Sequence, residues 1–290
     1  MTKHRLEVFL MNLGGNSMDK TSLIGVILGV IAVGLGMILK GVPVTALLNP
    51  AAFLIIFLGT AAAVVAAFPT KVIKNVPALF KVIFKENEEH DINELIYRFT
   101  KWAELTRKEG LLALEKEMEA IDDPFLASGI QMATDGQTSD FIRDVLLEKI
   151  AAMEERHEEG ARVFSQAGTY APTLGVLGAV VGLIAALGNM EDMDVLGAAI
   201  SAAFVATVFG IYTGYVLWHP FANKLKEKSR EEVKIKEVIV EGVLSITAGE
   251  SPNVIQDKLS SFLSTREIEE LKEYMESQGG NNVKEETEEA

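Results

Sequence analysis

The chain has 290 residues, of which 49% are hydrophobic, and its mean hydropathy is positive at +0.23. Its formal net charge of −14 excludes nucleic acid as a favoured partner, because phosphates would be repelled. It contains no cysteine, which excludes disulfides, thiolate nucleophiles and cysteine-based metal sites.

The apolar residues are concentrated in four charge-free blocks. Each block is long enough to cross a hydrocarbon core of about 30 Å, which takes about 20 helical residues. Buried helices of a large soluble protein are the alternative, but their apolar runs are rarely so long. The sequence therefore predicts an all-α membrane protein with four transmembrane helices, which we place at Thr21–Leu39, Pro50–Phe68, Ala171–Gly188 and Val195–Trp218.

Lysines and arginines next to the spans predict the orientation, because cytoplasmic segments carry an excess of them. The connection between spans one and two has a single lysine, and that between spans three and four has none. We therefore expect both termini and the large loop after span two to be cytoplasmic. The residues behind this orientation are Lys71, Lys74, Lys81 and Lys85 after span two, and Lys224, Lys226, Lys228 and Arg230 after span four.

The pattern divides the chain into six segments. Residues 1–17 are interpreted as an extension ahead of a natural start at Met18, and residues 266–290, with nine Glu against three Lys or Arg, as an acidic, disordered tail. The other segments are spans one and two (18–68), a helical cytoplasmic loop domain (69–169), spans three and four (170–220) and cytoplasmic C-terminal helices (221–265).

Helical periodicity dominates the cytoplasmic segments. In residues 91–108, an apolar stripe of five side chains predicts an amphipathic helix that ends near Gly110. A long helix is expected from about Thr138 into span three, and span four has no helix breaker before Gly242 except Pro220. Spans three and four are thus predicted to continue as long helices outside the membrane. The stripe consists of Leu95, Ile96, Phe99, Trp102 and Leu105.

Enzyme signatures are absent from the sequence. It contains no phosphate-binding GxxxxGK[ST] loop and no GxSxG elbow. HEEGA at 157–161 begins like a zinc-protease HExxH motif, but Ala161 replaces the second histidine ligand. We therefore expect a non-enzyme that needs no cofactor or metal.

The four spans also lack any charged side chain, although ion pathways usually need one. They carry rows of small residues instead, a pattern that lets helices approach closely. These rows either pack within the chain's own bundle or receive helices from other subunits, one of which would bring the missing charge. The rows are Gly175, Gly178, Ala179 and Gly182 in span three, and Gly197, Ser201, Val205, Ala206 and Gly210 in span four.

Two prolines mark the expected ends of these spans. Pro172 begins span three and Pro220 follows span four, and each removes a backbone hydrogen bond and permits a bend. We expect them at the same depth, as a hinge. The hydroxyl side chains nearby either line a wet path or bond to their own helix; they are Thr173, Ser201, Thr207, Tyr212 and Thr213.

Several segments together resemble the MotA family, the ion-channel stator subunits of the bacterial flagellar motor. The resemblance covers about residues 18–249. Its segments are NPAAFLIIFLGT, AFPTK, RKEGLLALEKE, MATDGQ, TYAPTLGVLGAVVGLIAAL and AFVATVFGIYTGYVLWHPFANKLK.

The resemblance implies a multi-pass protein of the bacterial plasma membrane. Five such subunits would surround two single-span MotB-like subunits, each of which supplies the ion-binding aspartate and anchors to peptidoglycan. Arg107 and Glu115 match the pair that acts on the rotor protein FliG. Pro172 and Pro220 match the prolines that couple ion passage to loop movement.

The resemblance also implies an ion path. Thr207 matches a threonine near the ion site, and Thr173 is placed along the same path. Ala179 stands where sodium-type members carry a threonine, which favours protons. An ExbB/TolQ-like subunit of another proton-driven complex is the alternative, but such proteins usually have three spans. A self-contained transporter is a further alternative, which the charge-free spans disfavour.

Overall fold

Helices make up the described fold. The computed structural model describes residues 19–42, 44–85, 92–188 and 190–288, and the side chains up to residue 278 except that of Val44. The proposed extension 1–17 lies outside these residues. No β-strand occurs within the described ranges. The helices are α1 Lys20–Leu39, α2 Pro50–Ala67, α3 Thr70–Phe84, α4 Ile92–Glu109, α5 Leu114–Glu117, α6 Pro124–Thr134, α7 Ser139–Leu187, α8 Met193–Thr247, α9 Pro252–Ser260 and α10 Thr265–Glu288.

Four of these helices are long and apolar enough to cross a membrane, which confirms the prediction of four spans. They are α1, α2 and parts of the much longer α7 and α8. Helix α7 runs for 49 residues without interruption and α8 for 55, so the expected continuations beyond spans three and four are also confirmed. Short π-helical segments occur within α2 and α8, at Leu54–Leu58 and Thr213–Trp218.

The described chain forms two compact units. Unit 1 comprises residues 1–87 and 156–228, and unit 2 comprises residues 88–155 and 229–290. Unit 2 therefore combines part of the large loop with the C-terminal helices, which the sequence pattern had treated as separate segments. The exact segment boundaries stay predictions.

Unit 2 has its own apolar core. The predicted stripe of α4 supplies Ile96, Phe99 and Trp102, which are buried, and α4 packs against α9 and α10. A β-carbon placed on Gly242 of α8 would lie 2.7 Å from the ring of Phe99. Glycine at 242 therefore allows α8 to approach that ring closely.

The expected disordered tail is wrong for the part of it whose side chains are described. Helix α10 starts at a capping box, in which the Ser264 amide donates to Glu267 Oε2 at 2.6 Å and the Glu267 amide donates to Ser264 Oγ at 3.4 Å. Leu271 is buried in the unit 2 core, with Ile268 and Met275 packed beside it. These three apolar residues recur at helical spacing among the glutamates, and the prediction of disorder gave weight only to the glutamates.

Asp19 fixes the start of α1 within unit 1. Its carboxylate accepts the Thr21 and Ser22 amides, each at 3.1 Å, and lies 2.5 Å from Lys224 Nζ of α8. Burial alone would raise the pKa of Asp19, but hydrogen bonds from Lys224, Thr21 and Ser22 outweigh it and hold the pKa well below its ordinary value. The ionised carboxylate therefore stabilises the fold at neutral pH, and this contribution is lost only in acid below the ordinary pKa of 3.8.

Two substitutions of Asp19 separate its capping role from its ion pair. Asp19→Asn keeps an oxygen that can cap α1, whereas Asp19→Ala removes both the cap and the charge. We expect Asp19→Ala to lower the free energy of unfolding by about 1 kcal/mol more than Asp19→Asn, the usual contribution of a helix cap. Thermal unfolding of detergent-purified protein measures the difference, and identical midpoints for the two variants would contradict the capping role.

Candidate functional site

Spans three and four are in backbone contact at a pair of glycines. A β-carbon placed on Gly210 would lie 2.7 Å from the Ala171 carbonyl oxygen and 2.8 Å from the Cα of Gly175. A β-carbon on Gly175 would in turn lie 3.0 Å from the Ala206 carbonyl oxygen. Because the obstacles are backbone atoms that cannot rotate away, neither position has room for a larger residue at this separation of the helices.

The same contact continues along span three. β-carbons on Gly178 and Gly182 would lie 2.9 Å from the β-carbons of Ala206 and Ala203. This glycine row therefore packs within the chain's own bundle, which decides between the two readings that the sequence had left open for it. The alternative, in which the row receives a helix of another subunit, is wrong for Gly175, Gly178 and Gly182.

The two prolines do not share one level. Pro172 contacts Gly214, since a β-carbon on Gly214 would lie 2.8 Å from its Cγ. One turn further out, Gly168 faces the ring of His219. Pro220 directly follows His219, so it lies at the level of Gly168, four residues from Pro172 along α7. The expectation of equal depth is therefore wrong by about one helical turn.

Pro220 directly follows the π-helical segment Thr213–Trp218. Its missing N–H leaves the carbonyl of the residue four positions earlier, Val216, without its usual donor. The His219 amide instead donates to the Gly214 carbonyl, five residues back. The irregular backbone of α8 thus lies where Pro172 contacts it, and it is a structural basis for a bend.

The threonine hydroxyls of spans three and four bond to their own helices, whereas the buried hydroxyl of Tyr212 has no partner among the described residues. Thr173 Oγ1 donates to the Thr169 and Tyr170 carbonyls at 2.9 and 3.1 Å, and Thr207 Oγ1 donates to the Ala203 carbonyl at 3.4 Å. Thr173 is nevertheless exposed and Thr207 half-buried, as is Ala179. These three side chains therefore stay accessible at the surface of the single chain.

Large apolar side chains surround these residues on the outward faces of both spans. They expose about half of their surface or more, which leaves a broad apolar area for lipid or partner helices. The main members are Val176, Leu177, Val180 and Ile184 in span three, and Phe204, Ile211 and Tyr215 in span four.

Arg107 and Glu115 lie on either side of a sharp turn in unit 2. Gly110, between α4 and α5, has a φ of 86°, which favours glycine, and Leu114 anchors the second side of the turn in the core. Arg107 and Glu115 are both exposed, and neither forms an ion pair with another residue that the structure describes. Leu112, between them, is 65% exposed. The turn therefore presents two opposite charges and an apolar side chain to solvent.

Sequence reasoning missed two features of the site. One is the ion pair of Asp19 with Lys224, which joins the start of span one to the helix after span four. An acidic residue directly before an apolar block, such as Asp19, indicates a helix cap. No sequence pattern indicates that Lys224, far along the chain, is its ion-pair partner. The other is Gly214, which Pro172 contacts.

Two family models match the chain. The Motility protein A N-terminal model matches residues 23–110, and the MotA/TolQ/ExbB proton channel family model matches residues 117–238. Motility protein A of Bacillus subtilis is 60% identical over 269 residues, which cover 93% of this chain and 100% of that protein. This chain belongs to the MotA family. The match of its first two spans to the motility-protein model argues against the ExbB/TolQ alternative.

A further curated protein and two solved structures are also similar to this chain. Chemotaxis protein PomA of Vibrio alginolyticus is 37% identical over 182 residues, which cover 63% of this chain and 70% of that protein. Two solved structures are similar, the flagellar MotAB stator complex of Bacillus subtilis and MotAB of C. jejuni. The first has a TM-score of 0.83 and 62% sequence identity, and the match covers 87% of this chain and 99% of that chain. The second has a TM-score of 0.81 and 32% sequence identity, and the match covers 86% of this chain and 97% of that chain.

Substitution of Gly210 tests the contact between the spans. Gly210→Ala places a methyl group against backbone, and we expect it to destabilise the protein by about 1–3 kcal/mol, the usual cost of overpacking. Gly197→Ala is the matched control on the same span, since a β-carbon there meets nothing within 4 Å. Thermal unfolding and the amount of protein in the membrane measure the effect. Equal behaviour of the two variants would contradict the proposed close contact.

Proposed function

We propose that this chain is the MotA-type subunit of a flagellar stator, which forms an ion channel with a MotB-type partner and converts ion flow into torque on the rotor. The single observation that carries the proposal is four membrane spans without an Asp, Glu, Lys, Arg or His in a chain of the MotA family. Similarity to the solved MotAB complexes supports the same function.

A partner must bring the charge that titrates. Ion pathways through hydrocarbon depend on ionisable groups, which are costly in a span and are kept there for function. The spans of this chain contain no acidic side chain, so the carboxylate that binds the ion belongs to the single-span partner. The accessible side chains Thr173, Ala179 and Thr207 are proposed to line the path beside that carboxylate.

The outward faces of the spans support assembly. Their exposed apolar side chains are the surface on which copies of this chain and the partner's helix would pack, and we propose five copies around a partner dimer. Both termini and the large loop are proposed to lie on the cytoplasmic side of the bacterial plasma membrane, since the lysines and arginines next to the spans concentrate there.

The turn at Gly110 is proposed to act on the rotor protein FliG. Arg107 and Glu115 are exposed and carry opposite charges, and such exposed charges attract a partner weakly and reversibly. Weak contacts suit a stepping motor, because each must break before the next one forms. Pro172 of α7 contacts the irregular part of α8, and Pro220 directly follows that part. The two prolines are proposed to couple ion passage to movement of the loop.

The work comes from the ion gradient. A proton crossing about 100 mV releases about 2.3 kcal/mol, which shifts an equilibrium between two states more than tenfold if it is fully coupled. Protonation neutralises the partner's aspartate, the ring of subunits steps around the partner dimer, and the loops transmit torque. Ala179 in place of a threonine favours a proton as the ion.

Charge reversal tests the rotor contact. The double variant Arg107→Glu/Glu115→Lys keeps the net charge but inverts both contacts, and we expect it to abolish swimming while the stator still assembles. Lys108→Glu/Glu109→Lys is the matched control, because it swaps two exposed charges of the same turn. Swimming speed and membrane content measure the result. Normal swimming of the first variant would remove Arg107 and Glu115 from the mechanism.

The identity of the ion is tested by motility in defined media. We expect cells that depend on this chain to swim without sodium and to stop when a protonophore is added, because Ala179 offers no hydroxyl to a sodium ion. Swimming that requires sodium would overturn the assignment of protons.

A further inference from the structure

Helix α3 differs in charge from the rest of the chain. The stretch from Pro69 to Lys85 contains four lysines and no acidic residue, although the protein has 41 acidic residues against 27 basic ones. The acidic residues of the rest of the chain already make the protein soluble. The four lysines of this stretch are therefore not needed for solubility.

Both ends of α3 are held where spans meet water. The helix starts three residues after the last residue of span two, Ala67. At its other end, the Phe84 carbonyl accepts the Asp19 amide at 2.9 Å, and Asp19 caps span one. The start of span one and the end of span two lie on the same side of the membrane. Helix α3 therefore connects two points at the membrane boundary. Its 15 residues extend over about 22 Å, so the helix runs along the surface.

The apolar face of α3 is already used by the chain itself. Val72 and Ile83 are buried, and the ring of Phe80 lies 5.0 Å from that of Phe164 on α7. Leu79 packs onto Gly160, where a β-carbon would lie 3.1 Å from its methyl groups. The helix is therefore not inserted into the bilayer through this face, and it is fixed in orientation.

The opposite face carries the lysines. Lys71, Lys74 and Lys81 are spaced by three and seven residues, which places them on one side of a helix, and all three are exposed. None of the three forms an ion pair within the described part of the chain, whereas Lys224, Lys234 and Lys258 elsewhere do. Because α3 begins just after span two and ends at the cap of span one, phospholipid headgroups are the anions expected beside it.

We propose that the lysine face of α3 binds anionic phospholipid headgroups of the leaflet on the side of the chain termini. The interaction is electrostatic, since the apolar face is occupied. A basic residue near an anionic membrane surface contributes about a fivefold gain in affinity, so three of them contribute about a hundredfold at low salt. Bound headgroups would hold α3, and with it the cap of span one, at a fixed level. The proposal concerns lipid and holds whether or not the proposed torque function is correct.

Native mass spectrometry of the detergent-purified complex of this chain with its membrane partner tests the proposal. The probes are phosphatidylglycerol and phosphatidylcholine, titrated separately. We expect Lys71→Gln/Lys74→Gln/Lys81→Gln to weaken phosphatidylglycerol binding about tenfold or more and to leave phosphatidylcholine binding unchanged. The corresponding triple arginine variant should retain the preference, because it keeps the charges.

A control with the same charge change lies in unit 2. Lys108→Gln/Lys116→Gln/Lys272→Gln removes three exposed lysines from outside α3, and it should keep the lipid preference. Equal loss in this control would overturn the proposal in favour of a general charge effect. Unchanged phosphatidylglycerol binding by the α3 variant would also overturn the proposal. If that variant also had fewer subunits in the complex, the lysine face of α3 would be a contact with a neighbouring protein and not with lipid.

Discussion

The backbone contact between spans three and four is the interaction on which the rest of the membrane domain depends. Lipid provides no hydrophobic force to bring helices together, so packing of small residues must do so. Gly175 and Gly210 allow the backbones to meet, and alanines continue the contact on both sides. Because one face of each span is used in this way, the other faces remain for other molecules, with Thr173 exposed on span three and Thr207 half-buried beside the contact on span four.

The outward faces explain how a membrane domain without charge can serve ion flow. In the proposed mechanism its spans supply shape, hydroxyls and small side chains, while the titrating carboxylate comes from a partner helix. The same pair of helices continues beyond the membrane as α7 and α8, and the irregular backbone before Pro220 lies at the contact with Pro172. A change at the proposed ion path would therefore have a direct covalent route into the segments outside the membrane.

The spans, the long helices and the stripe of α4 were predictable from the sequence, because each depends on local length and periodicity. The helix against which the glycine row of span three packs was not predictable. Small residues allow close packing against a helix of the same chain as well as against one of another subunit. The unequal levels of Pro172 and Pro220 depend on the register of two antiparallel helices, which no local pattern records. The tail after residue 265 was mispredicted because glutamates outnumbered its few apolar anchors, of which Leu271 is the buried one. The placement of Arg107 and Glu115 at an exposed turn agrees with the resemblance, and their role stays a prediction.

Ion flux into proteoliposomes tests the central claim most directly, namely that these spans form a neutral scaffold around a carboxylate supplied by another polypeptide. The account predicts that the chain reconstituted by itself passes protons no faster than protein-free liposomes, and that co-reconstitution with its single-span partner opens a pathway. Substantial flux through the chain alone would contradict it.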